Sequence, residues 1–420
     1  MRFMWFHLMP YMDLPSDFKA KNNSIWVDVD PSLADPLKVH ASYNEFMDEL
    51  EFAADCGFDA ICVNEHHGNA YGMMPSPNLI ASALARRTQH TDAAICVMGA
   101  SLALYNPPTR VAEEFAMLDT ISGGRLIAGF PVGTPMDTSY VYGGNPSTLR
   151  QRYYEAHELI IQAWTRDDAP FAFNGRFNQQ RYVNCWPRPL QRPHPPVWVP
   201  GGGSVETWAW CGEQDYVYSY VSYYGHVAAE NTMNGYWAEM ARQNIDRNPF
   251  RAGFLQFIGV AETMDEAVRL YKEPAEFFYT NCLHVDTKWV APPGYVTEGT
   301  QRAKMTSQVQ AAADRGAILS SLSEEFAGIL KNGYVIIGSP DEVAAQLREV
   351  AIKFNVGNML TLLHFGNMSR ETAMYNTRLF AEKVIPQLKD LFEDEWDHKW
   401  WPTPAAREDR VLAAGPETRA

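Results

Sequence analysis

The sequence predicts an α/β fold: a closed (β/α)8 barrel, or TIM barrel, with insertions and a C-terminal extension. Three observations predict it. Short apolar runs alternate with helix-length amphipathic stretches through most of the 420 residues, the pattern of repeated strand–helix units on a parallel sheet. Eight such runs can be counted. No Gly-rich dinucleotide turn opens any helix, which favours barrel closure over an open doubly wound sheet.

The expected strands are Arg2–Leu8, Ala60–Asn64, Ala94–Leu102, Arg125–Phe130, Pro196–Val199, Tyr216–Tyr220, Gly253–Val260 and Asn358–Leu363. Each is rich in β-branched, aromatic or other apolar residues, as strands covered on both faces are. Between them, Tyr43–Cys56 carries Phe46, Leu50, Ala53 and Ala54 at helical spacing, and Ser339 precedes Pro340 as cap and first residue of a helix reaching Phe354. Four stretches exceed what a barrel needs: 10–42, 165–195, 272–335 and the tail after 396. We expect one barrel domain over residues 1–396, with an insertion at 272–335 whose aromatic and Pro-rich text (EFFYTNCLHVDTKWVAPPGY) suits a lid. The polar end, 397–420, is expected to form an arm or a partly disordered extension.

Fifty acidic against thirty-five basic side chains give a net charge of −15, and no Lys/Arg-rich block occurs. This argues against nucleic acid or an anionic membrane as partner. No apolar run approaches the roughly 18 to 20 residues of a membrane helix, and MRFMWFHLMPYM lacks a secretory cleavage pattern, so a cytoplasmic protein is expected. Six cysteines are scattered with no C-x-x-C pair and no zinc-type spacing, and are read as small buried hydrophobes.

In a parallel barrel the chemistry gathers where strands end, and Glu65, His66 and His67 fall immediately after the second strand. Successive residues of an extended segment point to opposite sides, so at most two of the three can face the barrel axis. Metal ligation is the rival reading; adjacent imidazoles cannot easily aim at one ion and the first strand offers only His7, so no metal site is expected. Residues 100–135 read as strand end, turn at Asn106-Pro107-Pro108, helix with Val111, Phe115 and Leu118 inward, and a Gly123-Gly124 close. Gly129 and Gly133 flank the end of the fourth strand, where a planar ligand could approach the backbone. In PPVWVPGGGS, a strand runs into three glycines and a serine at a helix start, which leaves N–H groups and a hydroxyl free for a phosphate. Arg150 or Arg152 could supply the charge.

Asn64-Glu65-His66-His67, NPPTRVAEEFAMLDTISGGRLIAGF, RYYEAHELI, PPVWVPGGGS and GSPDEVAAQL, in this order, make the chain resemble the bacterial luciferase-like flavin-dependent monooxygenases over most of its length outside the 272–335 insertion. The resemblance implies an enzyme that takes reduced FMN as a diffusible substrate and reacts it with O2 to a C4a-peroxyflavin. One oxygen atom then passes to a small organic substrate, hydrophobic or aromatic. It further implies a separate NAD(P)H:flavin reductase, since no nicotinamide fingerprint is present, and a homodimer or homotetramer. Such a site needs an apolar, covered pocket and one group that titrates near neutrality, as histidine does.

By position, the resemblance makes His66 the catalytic residue and Glu65 and His67 its orienting partners. Gly99 and Ala100 match a small pair that in relatives approaches the flavin ring through an unusual cis peptide. Gly202, Gly203 and Ser204 match the phosphate turn, and Arg152 the arginine that reaches it. One departure stands out: Val132 occupies the place of an arginine that luciferases use for the phosphate. Three cofactor readings follow, FMN with Arg152 supplying the charge, FAD, or a deazaflavin; the wording RVAEEFAMLDTISGGRL favours the first. The competing functions are a deazaflavin- or flavin-dependent dehydrogenase and a non-catalytic flavin-binding subunit on the same barrel.

Overall fold

The structure is a computed structural model and describes residues 1–221, 223–305, 323–392 and 396–412. Among the described residues eleven strands are formed: β1 (Arg2–Phe6), β2 (Ala60–Val63), β3 (Ala94–Met98), β4 (Leu126–Gly129), β5 (Phe171–Asn174), β6 (Gln179–Val183), β7 (Val197–Gly201), β8 (Val217–Tyr220), β9 (Ala252–Val260), β10 (Val335–Gly338) and β11 (Asn358–Leu362). Eight of them pair in parallel in the order β1-β2-β3-β4-β7-β8-β9-β11, and β11 returns to β1 with Arg2 opposite Asn358. The sheet is therefore closed, as expected, and each of the eight expected strands falls on one of these.

Side-chain alternation explains why the runs are apolar throughout. Met4, Cys62, Cys96, Ile127, Trp198, Val217, Leu255 and Leu360 fall in one buried cluster, inside the barrel. Their neighbours Phe3, Trp5, Ile61, Val63, Ile95, Val97, Leu126 and Val199 pack outward with helix residues such as Phe46, Leu50, Leu84 and Phe115 in a second. Both faces of the eight barrel strands are thus covered. Ser339 caps the helix Pro340–Phe354 by accepting from the Glu342 N–H, and the Glu342 carboxylate accepts in return from Ser339 N–H, a full capping box.

The additions lie outside the barrel and at both of its ends. The antiparallel hairpin β5–β6 fills the 165–195 excess, and its turn is pinned by Glu155, whose carboxylate accepts from the N–H groups of Arg176, Phe177 and Asn178. The 10–42 and 272–305 stretches meet at the strand C-terminal end through a Ser24–Val285 bridge, and Ile25 N–H donates to His284 O. The strand β10, unforeseen in the sequence, pairs with β9 from Val335↔Phe257 to Gly338↔Val260 where the insertion ends. Residues 306–322 of the expected lid and 413–420 of the expected extension fall outside the described residues.

The described part of the tail is not a free arm. It crosses the N-terminal end of the barrel: Trp198 Nε1 donates to Trp400 O at 3.1 Å, Trp400 Nε1 to Asp215 O at 2.8 Å, and Arg410 to Thr91 O and Asp92. Arg2 stacks over Trp401 at 4.1 Å. Aromatic residues in an otherwise polar stretch supply the apolar area that holds it down. All six cysteines are unbridged and all but Cys56 are buried. Among the described residues, no helix is long and apolar enough to cross a membrane.

Candidate active site

A cavity of about 720 Å³ opens at the C-terminal ends of the strands. At one end β2 delivers Glu65 and His66 into its wall. His66 Nδ1 lies 2.9 Å from Asp137 Oδ2, while Asp137 Oδ1 accepts the His67 backbone N–H at 2.9 Å. Thr134 Oγ1 and Asn69 Nδ2 donate to the same carboxylate. Burial pushes the Asp137 pKa up, but the charge and hydrogen bond of His66, with those of His67 N–H and Thr134, outweigh it and hold the group below the usual carboxylate range. Asp137 is therefore an acceptor only, the proton between them resides on His66 Nδ1, and Nε2 is the ring nitrogen left for the cavity. The ring packs edge-on against Trp26 and Tyr71, each 5.0 Å away centroid to centroid, and Gly72 is required beside it because a Cβ there would come within 2.9 Å of His66 Cδ2.

Trp26 and Tyr71 stack at 3.7 Å and, with Tyr223, Tyr224, Leu283, Val285 and Val290, make the walls around His66 apolar. Tyr295 ties the 272–305 segment across the opening by donating to Gly133 O at 2.6 Å. At the other end, Gly201 to Ser204 leave β7 and start the helix Val205–Gln214; Gly203 has φ +102, a left-handed value that favours glycine. Arg150 reaches in from the helix Pro146–Thr165, with Nη2 3.0 Å from Ser204 Oγ and Nη1 3.2 Å from Thr207 Oγ1. One guanidinium, two hydroxyls and a helix N-terminus converge there, a donor set that fits a phosphate.

A profile described as luciferase-like monooxygenase matches residues 25–353. The chain belongs to this family. It is 33% identical over 162 residues to the oxygenase component of the flavin-dependent trigonelline monooxygenase of Acinetobacter baylyi, a match covering 37% of this chain and 42% of that protein. It is 23% identical over 342 residues to limonene 1,2-monooxygenase of Rhodococcus erythropolis, covering 79% of this chain and 77% of the other. The chain thus spans less than half of the first of these relatives and most of the second. Among solved structures, the oxygenating constituent of 3,6-diketocamphane monooxygenase from Pseudomonas putida, in complex with FMN, superposes with a TM-score of 0.66 over 92% of this chain and 98% of that one, at 17% identity. At that identity the likeness concerns the fold.

Within this luciferase-like barrel the expected site residues divide. His66, Glu65, Gly99, Gly202, Gly203 and Ser204 all line the one cavity. Ala100 does not; it is buried, with its N–H donating to Gly129 O. The non-proline cis bond is present one peptide earlier than the expected pair, between Met98 and Gly99. Arg152 is exposed and lies over the Phe177 ring at 4.6 Å, outside the cavity lining. Two residues apart on one helix, Arg150 and Arg152 point to opposite sides, and it is Arg150 that faces Ser204. Val132 lines the cavity without offering a charge.

The partners expected to orient His66 do something else. His67 Nε2 pairs with Glu65 Oε1 at 3.0 Å, and Glu65 also accepts from the Ser101 N–H and the Tyr105 hydroxyl, both at 2.6 Å. Alternation along the extended segment turns His67 away from His66. Asp137, which holds His66, went unnoticed in TPMDTSYVYGG because it lies 71 residues on, in a short wide-turned helix (Met136–Val141) that no strand position announces.

Outside the barrel wall, His7, Glu49 and His364 bring metal-type donors within 4.8 Å of one another, all buried. Met9 N–H donates to His7 Nδ1 at 2.7 Å, so the neutral ring carries its proton on Nε2, the atom facing Glu49 at 3.3 Å. His364 Nδ1 donates to the same carboxylate oxygen at 2.7 Å. His7 departs from the usual pattern of a metal ligand, since an imidazole bound through Nε2 normally donates from its other nitrogen, whereas His7 Nδ1 accepts.

Proposed function

We propose that the protein is the oxygenase component of a two-component flavin monooxygenase, acting on a small hydrophobic or aromatic molecule with reduced FMN supplied by a separate reductase. The observation that carries this reading is the single cavity that joins the Arg150–Ser204–Thr207 donor set to the His66–Asp137 pair. The relatives named as a trigonelline oxygenase component and a limonene monooxygenase support it.

Arg150, Ser204 and Thr207 would hold the flavin phosphate, and Gly99 and the neighbouring backbone would leave room for the ring. When bound, reduced flavin supplies two electrons with which one atom of O2 enters the substrate and the other leaves as water. Asp137 fixes the proton on His66 Nδ1, so that Nε2 can take a proton from the reacting group and return it. Trp26 and Tyr71, almost fully buried, exclude water from that exchange. Burial holds the Tyr71 hydroxyl far above the usual phenol range, which keeps it neutral beside His66.

Oxygen uptake with photoreduced FMN and a panel of aromatics, terpenoids, aldehydes and ketones tests the reading. Substrate-dependent uptake with an oxygenated product is expected. Hydride exchange with substrate and no oxygen uptake would instead assign the barrel to dehydrogenation.

A further inference from the structure

We propose that Glu206 is a resident anion at the phosphate end of the cavity, which keeps FMN affinity low by competing with the flavin phosphate for the same donors. The proposal rests on the flavin reading above. Ser204 Oγ donates to Glu206 Oε2 at 3.0 Å and accepts from Arg150 Nη2 at 3.0 Å. Thr300 Oγ1 donates to the same Glu206 oxygen at 2.8 Å. A hydroxyl has one proton, so those of Ser204 and Thr300 are already committed to a carboxylate, and Thr207 Oγ1, which accepts from Arg150, is the third hydroxyl of the corner.

The carboxylate is built into place. Ser204 stands at the N-cap of the helix Val205–Gln214 but makes no side-chain capping bond, its hydroxyl being held between Arg150 and Glu206. Glu206 lies in the first turn of that helix, where the positive end of the dipole stabilises an anion as it would a phosphate. Gly299 lies directly over it, and a Cβ there would run into Glu206 Oε1. Burial pushes the Glu206 pKa up, but hydrogen bonds from Thr297, Thr300 and Ser204 outweigh it and keep the group charged.

A phosphate entering this corner must therefore draw the Ser204 proton away from Glu206 and share Arg150 with a second negative charge. That lowers affinity for FMN relative to riboflavin, which carries no phosphate, and suits a flavin that must arrive from and return to a reductase. Glu206 acts through Ser204 and Thr300 and is a positioning residue.

The test measures dissociation constants of FMN and riboflavin by fluorescence quenching on the full chain, for wild type, Glu206→Gln, Glu206→Thr and Arg150→Ala. Both Glu206 variants should bind FMN about tenfold more tightly with riboflavin unchanged, since each removes one like charge close to the phosphate. Glu206→Thr is too short to reach Ser204, so it reports the same sign should the glutamine variant fail to fold. An FMN-to-riboflavin preference that stays at the wild-type value, or falls, in the folded variants overturns the role of Glu206 while leaving the phosphate corner intact. A preference that Arg150→Ala leaves untouched shows that the phosphate is bound elsewhere, and both readings fall together.

Discussion

His66 and Asp137 meet across 71 residues of chain, with Nδ1 2.9 Å from Oδ2, and the same carboxylate holds the next residue's backbone N–H through its other oxygen. One side chain thereby fixes both the ring and the peptide that follows it. Asp137→Asn keeps the volume but removes the charge and offers a donor in place of one acceptor. We expect the flavin to be oxidised still, with substrate turnover down about a hundredfold and the missing electrons recovered as hydrogen peroxide. A peroxide assay beside product analysis checks this; an unchanged ratio of product to oxygen consumed would remove Asp137 from the chemistry.

Under the proposed function Arg150 contacts the phosphate, whereas Arg152 is a surface charge over Phe177. Arg150→Ala should weaken FMN binding at least tenfold, the loss of a charge-assisted contact, whereas Arg152→Ala should leave it within about twofold. Titrating both variants with FMN decides between the two arginines.

His157 makes a different prediction. Burial, with His194 nearby, lowers its pKa to about 3, and its Nε2 pairs with the Tyr216 hydroxyl at 2.9 Å. The folded pKa lies below the unfolded value of about 6.5, so between those limits only the unfolded chain takes the proton. Stability is then whole above pH 6.5 and falls as pH drops toward 3, by at most about 1.4 kcal/mol per pH unit from this group. His157→Gln should flatten that slope in urea midpoints measured from pH 7 to pH 4. His7, lowered by burial to about 4, contributes in the same direction over the upper part of the window.

The tail is expected to be structural. Trp400 is 6% exposed, accepts from Trp198 and donates to Asp215 O. Trp400→Ala should cost about 3 kcal/mol, the usual range for a buried tryptophan, with flavin affinity retained because the cavity is at the opposite end. Thermal unfolding with and without FMN measures both halves of that statement.

The barrel was legible because its signal is the repeated run of apolar residues, and a strand buried on both faces has no polar alternation to disguise it. The limits of the strands shifted by a few residues, as with Ala94–Leu102, which ends at Met98 where the chain leaves the sheet. What did not show was short or compensated: β10 in YVIIGSP reads like the core of an insertion, and the tail reads as polar although Trp400 and Trp401 anchor it. At the site, positions on strand ends were legible and partners were not. His66 and Ser204 follow from where β2 and β7 stop; Asp137, Glu206 and the choice of Arg150 depend on which side of a helix each faces after folding.

The Ser24–Val285 bridge joins two loops that neither begin nor end on the same strand, and from them come Trp26, Leu283 and Val285 on the cavity wall. The corner around Ser204, by contrast, is built on β7, its following helix and Arg150, and from the two loops it takes Thr300, at the far end of the 272–305 segment from Leu283 and Val285. Under the proposed function, drift around Trp26, Leu283 and Val285 can recast which molecule is accepted while the Arg150–Ser204–Thr300 corner that handles the cofactor is left alone. A barrel divided in this way is a natural starting point for loop grafting, in which selectivity is exchanged as a cassette.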